Sequence, residues 1–110
     1  MLLPVNAAVE VAMQEWTAGE RRLAELETTS ARRAVLNGVV NEIVAELRRR
    51  MGHAFDLAAL SDEYAGAAAW CLDVAQRTTP HPWAHELSLV QDAAFARIAR
   101  EAIDFSPTVE

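Results

Sequence analysis

Residues 30–52 read SARRAVLNGVVNEIVAELRRRMG, and this stretch decides the predicted fold class. Its apolar side chains recur at intervals of three and four residues, the spacing that places them on one face of an α-helix. The stripe consists of Leu36, Val39, Val40, Ile43, Val44 and Leu47. Ser30 can cap the start of this helix, and Gly52, which follows the three arginines at positions 48–50, is a natural end. We therefore predict a helix from Ser30 to the stop at Gly52.

The dipeptide Asn37-Gly38 offers a competing interpretation of the same stretch. Asn-Gly is a strong signal for a hairpin turn, and several flanking residues are β-branched. The flanks do not alternate cleanly between apolar and polar residues, so we favour the helix. Gly38 then costs about 1 kcal/mol relative to alanine, unless a neighbouring helix packs closely over it.

The segment before this helix predicts another. One stripe of apolar or small residues again steps by three and four: Val9, Ala12, Trp16, Gly19, Leu23 and Leu26. Pro4 suits a first helical turn, whereas Thr17 to Glu20 resembles a capping box that would divide the helix in two. We favour a single helix that can kink at Gly19.

A third helix is predicted after Asp56, which can cap it. Its stripe has the same spacing: Leu57, Leu60, Tyr64, Ala67, Cys71 and Val74, with Trp70 beside it. Residues 78–82 read TTPHP, and their two prolines lack amide donors and push the preceding residues out of the helical region. This segment therefore predicts a break before the last helix.

The last helix is predicted to start at Trp83 or Ser88 and to reach Asp104. Ser88 to Gln91 matches a capping box, and Ser106-Pro107 ends the pattern. The predicted inward stripe is Leu87, Val90, Ala94, Ile98, Ala102 and Phe105.

Four such helices, or five if one divides, predict an all-α bundle that is monomeric or completed by a second copy. A chain of 110 residues and 12.1 kDa can bury about two-thirds of its surface, enough for one domain but not two. We assign residues 1–105 to a single bundle domain and residues 106–110 to a short C-terminal tail.

Composition narrows the classes of protein. A net charge of −6, 52% hydrophobic residues and a mean hydropathy of +0.02 exclude a disordered chain and argue against a surface that generally attracts nucleic acid. The single cysteine, Cys71, cannot form an intramolecular disulfide, which favours a reducing compartment. No apolar run reaches the roughly 18 residues of a bilayer span, and the start lacks the positive region of a secretory signal. We expect a soluble, cytoplasmic protein without membrane contact.

Several residues at predicted helix ends and in the predicted core carry a resemblance to a group of other proteins. They are Arg32-Arg33, residues 45–52 (AELRRRMG), Phe55, Leu57, Leu60, Tyr64, Trp70 and residues 92–97 (DAAFAR). In this pattern, which spans roughly positions 20 to 105, the chain resembles a group of small all-helical actinobacterial proteins of unassigned function. The resemblance implies an all-helical fold and a bacterial cytoplasm, and it brings no catalytic residues.

Two histidines are the first candidates for chemistry. His81 and His85 are four residues apart beside Glu86, so a helix through them would place both imidazoles on one face, where they could hold a metal. Pro82 lies between them and disfavours that helix. Loop histidines exposed to solvent explain the pattern more simply, and His53 near a helix end needs no further role.

The remaining chemistry-bearing residues are sparse. Cys71 falls in an apolar stripe, where a cysteine usually behaves as a small hydrophobic residue. Glu101 and Asp104 form only one of the two carboxylate pairs that a helical magnesium site would need, and the four glycines form no phosphate loop. We predict no catalytic residue, no metal and no cofactor, and we regard an enzyme as the less favoured class.

Arginine shows the one pattern that suggests function. All ten basic residues are arginines, and seven of them lie in Arg21-Arg22, Arg32-Arg33 and Arg48-Arg49-Arg50. Residues 56–110 carry three arginines against nine acids, so nearly all the net charge lies there. Such asymmetry can orient a protein partner or a second copy.

The leading hypothesis is therefore a helical module that acts by protein–protein contact, through self-association as a homodimer or by docking on a larger complex. The predicted partner contacts are Trp83, Arg32, Arg33, Arg48, Arg49 and Arg50. A first alternative is a transcription-associated regulator that uses the arginine clusters on nucleic acid or a polymerase, although a nucleic-acid partner is disfavoured by the acidic balance. A second alternative is a small enzyme or ligand carrier with His81 or His85 as acid or base.

Overall fold

A computed structural model describes residues 6–78 and 84–102, and these residues form five helices. The helices are α1 (Asn6–Ala24), α2 (Ser30–Met51), α3 (Leu57–Ala65), α4 (Ala67–Thr78) and α5 (Ala84–Ala99). The described part of the chain contains no strand, which confirms the predicted all-helical fold class. None of its helices is both long and apolar enough to cross a bilayer.

Helix α2 runs without interruption through Asn37-Gly38, so the hairpin alternative is wrong. Its cap is Thr29 rather than the predicted Ser30, because Thr29 has extended backbone angles and its hydroxyl accepts a hydrogen bond from the Arg32 amide at 3.1 Å. The predicted stop is confirmed: Gly52 has a φ of +80°, and its amide donates to the Arg48 carbonyl at 3.0 Å.

The predicted third helix consists of two helices, α3 and α4, which meet at Gly66. Gly66 is a poor helix former, and its amide bonds the Glu63 carbonyl at 3.1 Å in a tight terminal turn. The predicted cap is confirmed, since the Asp56 carboxylate accepts from the Ala59 amide at 2.8 Å. The apolar stripe survives the break, because residues of both helices on this stripe are buried: Leu60, Ala67, Cys71 and Val74.

Helix α5 is the centre of the molecule and contacts each of the other four helices. It begins at Ala84 and passes through Ser88 to Gln91, so the predicted capping box there is wrong. It ends at Ala99, short of the prediction, and a turn follows in which the Glu101 amide bonds the Ile98 carbonyl. The predicted end at Asp104 lies outside the described residues.

The core forms around α5 on nearly all its sides, because ten of its sixteen residues are buried. The predicted inward residues Val90, Ala94 and Ile98 are among them. The others include residues off the predicted stripe: Leu89, Ala93, Phe95 and Ala96. A helix that is apolar around most of its circumference is expected to be buried inside a fold. The single predicted stripe did not indicate this degree of burial.

Helix α1 is the single helix that its stripe predicted, and it packs chiefly on α5. Trp16 is buried, with its ring 5.4 Å from that of Phe95, and Tyr64 of α3 meets Phe95 edge-on at 4.8 Å. Gly19 is also buried, since a side chain there would overlap Asp92 of α5. These contacts fix α1 against the second half of the central helix.

Candidate docking groove

The structure sorts the ten arginines by the partners that they bind. Six form ion pairs with carboxylates of the same chain: Arg32 with Glu86, Arg48 with Glu101, Arg49 and Arg50 with Glu46, Arg77 with Asp73, and Arg100 with Glu20. An arginine whose charge is matched in this way attracts an external carboxylate or phosphate less strongly. Most of the predicted arginine contacts therefore contribute to the fold itself.

Arg32 was predicted to contact a partner, and it forms the most buried of these ion pairs. Its guanidinium binds both carboxylate oxygens of Glu86, with 3.0 Å between Nε and Oε2. The side chain of Glu86 is only 5% exposed. The hydrogen bond that Arg32 donates to Glu86 raises the pKa of Arg32, and the ion pair joins the first turns of α2 and α5.

Each arginine of the predicted triplet Arg48-Arg49-Arg50 has a carboxylate partner within the same chain. Arg48 Nε lies 3.2 Å from a carboxylate oxygen of Glu101, whereas Arg50 Nε lies 2.8 Å from one of Glu46. The Arg50 guanidinium also lies 4.5 Å from the centre of the Trp70 ring, within the range of a cation–π contact. The three charges are therefore matched within the chain, since Arg49 and Arg50 share Glu46 and Arg48 binds Glu101.

Two arginines bind only neutral acceptors within the described residues. Arg33 donates to the carbonyl oxygens of Ala24 and Leu26 at 2.9 and 2.7 Å, and Arg97 donates to the Asn41 side-chain oxygen at 2.7 Å. Carbonyl and amide oxygens orient a guanidinium without cancelling its charge. Arg33 and Arg97 therefore hold positive charges that no carboxylate of the described part of the chain matches at ion-pair distance.

These two arginines line the same concave surface, between the end of α1, the start of α2 and the middle of α5. It has a volume of about 320 Å³. We call it the α1–α2–α5 groove, and its lining consists of Glu20, Leu23, Ala24, Thr28, Arg33, Leu36, Asn37, Val40, Ala93 and Arg97. Its size is that of a pocket for a small molecule or for one or two anchoring side chains.

The groove combines an apolar floor with a polar rim. Leu23, Leu36, Val40 and Ala93 supply apolar surface from all three helices. The one acid in the lining, Glu20, is bound by Arg100 at 3.1 Å, so its charge is matched from outside the groove. The unmatched charge in the groove is therefore positive, although the net charge of the chain is −6.

Asp92 and Tyr64 form a partly buried polar pair beneath α1. The Tyr64 hydroxyl donates to the Asp92 carboxylate at 2.7 Å. Burial raises the pKa of Asp92, and nearby Glu15 adds to that rise, while the Tyr64 hydrogen bond and Arg22 oppose it. The pair joins α3 to α5 below Gly19, and this location at the contact of three helices favours a role in packing.

The other candidates for chemistry do not assemble into a site. Cys71 is fully buried, and burial raises the pKa of its thiol to about 12, as expected of a small core residue. His53 and His85 are exposed, and the described residues contain no cluster of three histidine, cysteine or acidic residues that could hold a metal. Trp83 and His81, predicted as a partner contact and as an acid or base, lie outside the described residues.

Among the groove residues, Arg33 was predicted from the sequence as a contact, whereas Arg97 and the apolar floor were not. The floor residues Leu23, Leu36 and Val40 were predicted as core, and nothing in a stripe shows where a core face opens to solvent. Arg97 stands alone in the sequence, so no clustering signal pointed to it. The role of Arg97 in the groove depends on which arginines form ion pairs with carboxylates. That is determined by how segments distant in the sequence pack together.

No family model, curated protein or solved structure matches this chain. Its function is therefore inferred from the groove and from the surface of the helices.

Proposed function

We propose that the chain is a non-enzymatic protein-interaction module that binds an acidic segment of a partner protein in the α1–α2–α5 groove. The observation that carries this proposal is the pair of guanidinium groups, Arg33 and Arg97, at the rim of an apolar floor. The segment that fits supplies an apolar side chain for the floor and a carboxylate for the rim.

The apolar floor supports a partner that buries a side chain. Leu23, Leu36 and Val40 come from two helices that the Arg33 hydrogen bonds hold together, since Arg33 of α2 binds carbonyls at and just after the end of α1. Such cross-linking keeps the groove formed before binding, which lowers the entropy that a partner has to lose. A preformed apolar pocket with a few oriented polar groups is typical of a binding site.

The charges support an acidic partner over a basic one. Both guanidiniums are already oriented by neutral acceptors, so an incoming carboxylate gains a charge-assisted hydrogen bond without displacing an internal ion pair. A phosphate backbone would need a broader cationic surface, and the triplet Arg48 to Arg50 has its charges matched by Glu46, Glu63 and Glu101. This distribution favours the interaction module over the nucleic-acid alternative.

The setting that we propose is a bacterial cytoplasm, in keeping with the resemblance to small actinobacterial helical proteins. A lone cysteine buried as a thiol is ordinary in a reducing compartment. The bundle needs no cofactor for the proposed role.

The test is selection from a displayed library of random peptides against the purified chain. We expect the selected peptides to combine Asp or Glu with Leu, Ile or Phe. We expect them to lose at least about tenfold in affinity for Arg97→Glu, because one favourable charge contact becomes repulsive. Arg77→Glu on α4 is the matched control, since it makes the same charge change outside the groove.

Nuclear magnetic resonance locates the binding surface. Titration of a selected peptide should shift the backbone amides of groove residues such as Leu23, Asn37 and Ala93. Selected peptides that are basic, that bind Arg97→Glu as well as the wild type, or that shift amides elsewhere would overturn the proposal.

A further inference from the structure

The outward surface of α1 carries a charge pattern that neither the core nor the groove uses. Residues Glu10, Gln14, Thr17 and Arg21 are exposed, with Met13 and Ala18 partly buried between them. Most of these six residues follow one another at intervals of three and four, so they form one stripe along the helix. We call them the α1 outer stripe.

Most of the α1 outer stripe lies on the side of the helix away from the core, whereas Met13 at its edge packs against the core. Trp16 and Gly19, which are buried, fall on the opposite side at 100° per residue. Met13, Gln14, Thr17, Ala18 and Arg21 also line a shallow depression of about 350 Å³. The centre of the stripe is therefore a slightly concave surface between two charged ends.

The two ends of the stripe carry opposite charges. Glu10 lies at its start and Arg21 at its end, about 16 Å apart along the helix axis. Within the described part of the chain neither residue forms an ion pair, in contrast to the six matched arginines. A helix face that is acidic at one end and basic at the other is complementary to its own antiparallel copy.

The sequence positions of the stripe match in this antiparallel arrangement. With a two-fold axis between positions 15 and 16, Glu10 faces Arg21 of the second copy, and Arg21 faces its Glu10. Gln14 of one copy and Thr17 of the other then meet across the contact line, while Met13 and Ala18, about 140° apart around the helix, lie on its two flanks. A parallel arrangement would instead place Glu10 beside Glu10, which is repulsive.

We propose that two copies of the chain associate through their α1 outer stripes, antiparallel about a two-fold axis, with two symmetry-related Glu10–Arg21 ion pairs. The occupant of this surface is a second copy of the chain. The order of charges along the stripe is complementary to the same stripe running in the opposite direction. The contact is a single pair of helices, so the dimer is weak and depends on protein concentration. It adds a second binding surface to the proposed interaction module and does not require that the groove bind a peptide.

The test is a charge-exchange series measured by sedimentation equilibrium over a wide range of protein concentration. Glu10→Arg and Arg21→Glu each turn two attractive contacts of the dimer into repulsive ones, so we expect the association constant to fall at least about tenfold in each. The double variant, with both changes in one chain, restores opposite charges at both contacts and should regain the dimer. Both positions are exposed, so the helical circular dichroism should not change.

A mixture of the two single variants is the decisive sample. One chain then carries arginine at both ends of the stripe and the other carries glutamate at both ends. An equimolar mixture should therefore form a heterodimer, although each component alone stays monomeric. Arg22→Glu is the matched control, because Arg22 is one position along and turned about 100° from Arg21. It should leave the association constant within about twofold of the wild type.

Several results would overturn this proposal. They are a wild-type chain that remains monomeric at the highest concentration, a dimer that is indifferent to both single variants, a mixture that fails to associate, and an equal loss of association in Arg22→Glu. None of these results bears on peptide binding in the groove, which is measured with Arg97→Glu. The two proposals therefore fail independently.

Discussion

Gly19 of α1 and Gly38 of α2 look alike in the sequence, since each interrupts an amphipathic helix. In the structure they differ completely. A Cβ at Gly19 would overlap the Cβ of Asp92 and lie 2.9 Å from its Cγ. A Cβ at Gly38 would meet only the methyl group of Thr78, at an ordinary 3.9 Å.

The difference shows how closely the two helices approach their neighbours. Helix α1 approaches α5 so closely that only hydrogen fits at position 19, whereas α2 leaves room for a side chain next to α4. The close approach places Trp16 on Phe95 and holds the C-terminal half of α1, which forms one wall of the groove. Gly19 is therefore required by packing, and Gly38 is only tolerated.

Gly19→Ala tests this contrast with the largest expected effect. The new methyl group would press on the Asp92 Cβ, which is attached to the backbone of α5 and cannot rotate away. We expect a loss of about 2–3 kcal/mol in the free energy of unfolding, even though alanine favours helix by about 1 kcal/mol. Urea denaturation measures it, and an unchanged midpoint would show that α1 and α5 are not in close contact.

The double variant Gly19→Ala with Asp92→Gly is the control for that clash. The double variant keeps one side chain at this contact but attaches it to α1 instead of α5. The loss of stability in the double variant should therefore be smaller than the sum of the losses in the single variants. Strict additivity would mean that position 19 and Asp92 do not meet.

Gly52 provides a third kind of glycine, with a smaller expected effect. No atom lies within 4 Å of a Cβ there, but its φ of +80° and ψ of −154° form a backbone conformation that is nearly restricted to glycine. Gly52→Ala should therefore cost about 1–2 kcal/mol through the backbone alone. Asparagine should not rescue the loss, because it tolerates the left-handed helical region rather than this one. Thermal unfolding of both variants checks the prediction, and an alanine variant as stable as the wild type would contradict it.

These glycines show what could be predicted from the sequence. The helical class, the position of α2, the Asp56 cap and the Gly52 stop all follow from local periodicity and hydrogen bonding, which neighbouring residues determine. The division at Gly66 was missed because the apolar stripe continues across it. The burial of α5 on nearly all sides was missed because burial depends on how many helices surround it.

The candidate site was harder to predict for the same reason. Arg32 and Arg33 are adjacent in sequence, yet Arg32 binds Glu86 across 54 positions while Arg33 binds carbonyls within nine. Which arginine keeps an unmatched charge depends on the packing of α2 against α5, and no local pattern encodes it. The charge order of the α1 outer stripe is local, but its outward position becomes evident only once the buried face of α1 is known.

Gly38→Ala tests the other side of the comparison and should stabilise the protein. Alanine replaces a residue of poor helix propensity, and its methyl group gains an ordinary contact with Thr78. We expect an increase of about 0.5–1 kcal/mol in the free energy of unfolding. Gly38→Ala/Thr78→Ser, measured beside the wild type and Thr78→Ser alone, separates the Thr78 contact from helix propensity. A destabilised Gly38→Ala would show that α2 and α4 pack as tightly as α1 and α5.

The smallest expected effect is a pH dependence at the α1–α5 contact. Burial against Gly19 and α1, with Glu15 nearby, raises the pKa of Asp92 above that of the unfolded chain, although Tyr64 and Arg22 oppose this. A raised carboxyl pKa favours folding at low pH, below the ordinary aspartate value of about 3.9, and this contribution is lost as pH rises through the folded-state value.

Asp92→Asn removes that titration while keeping an oxygen that can accept the Tyr64 hydrogen bond. The stability of the variant relative to the wild type should therefore rise as pH increases from about 4 to 7. Urea unfolding of both proteins across that range measures the difference. A difference that is constant with pH would show that the Asp92 carboxylate is solvated, and hence that α1 does not cover it as closely as the Gly19 contact requires.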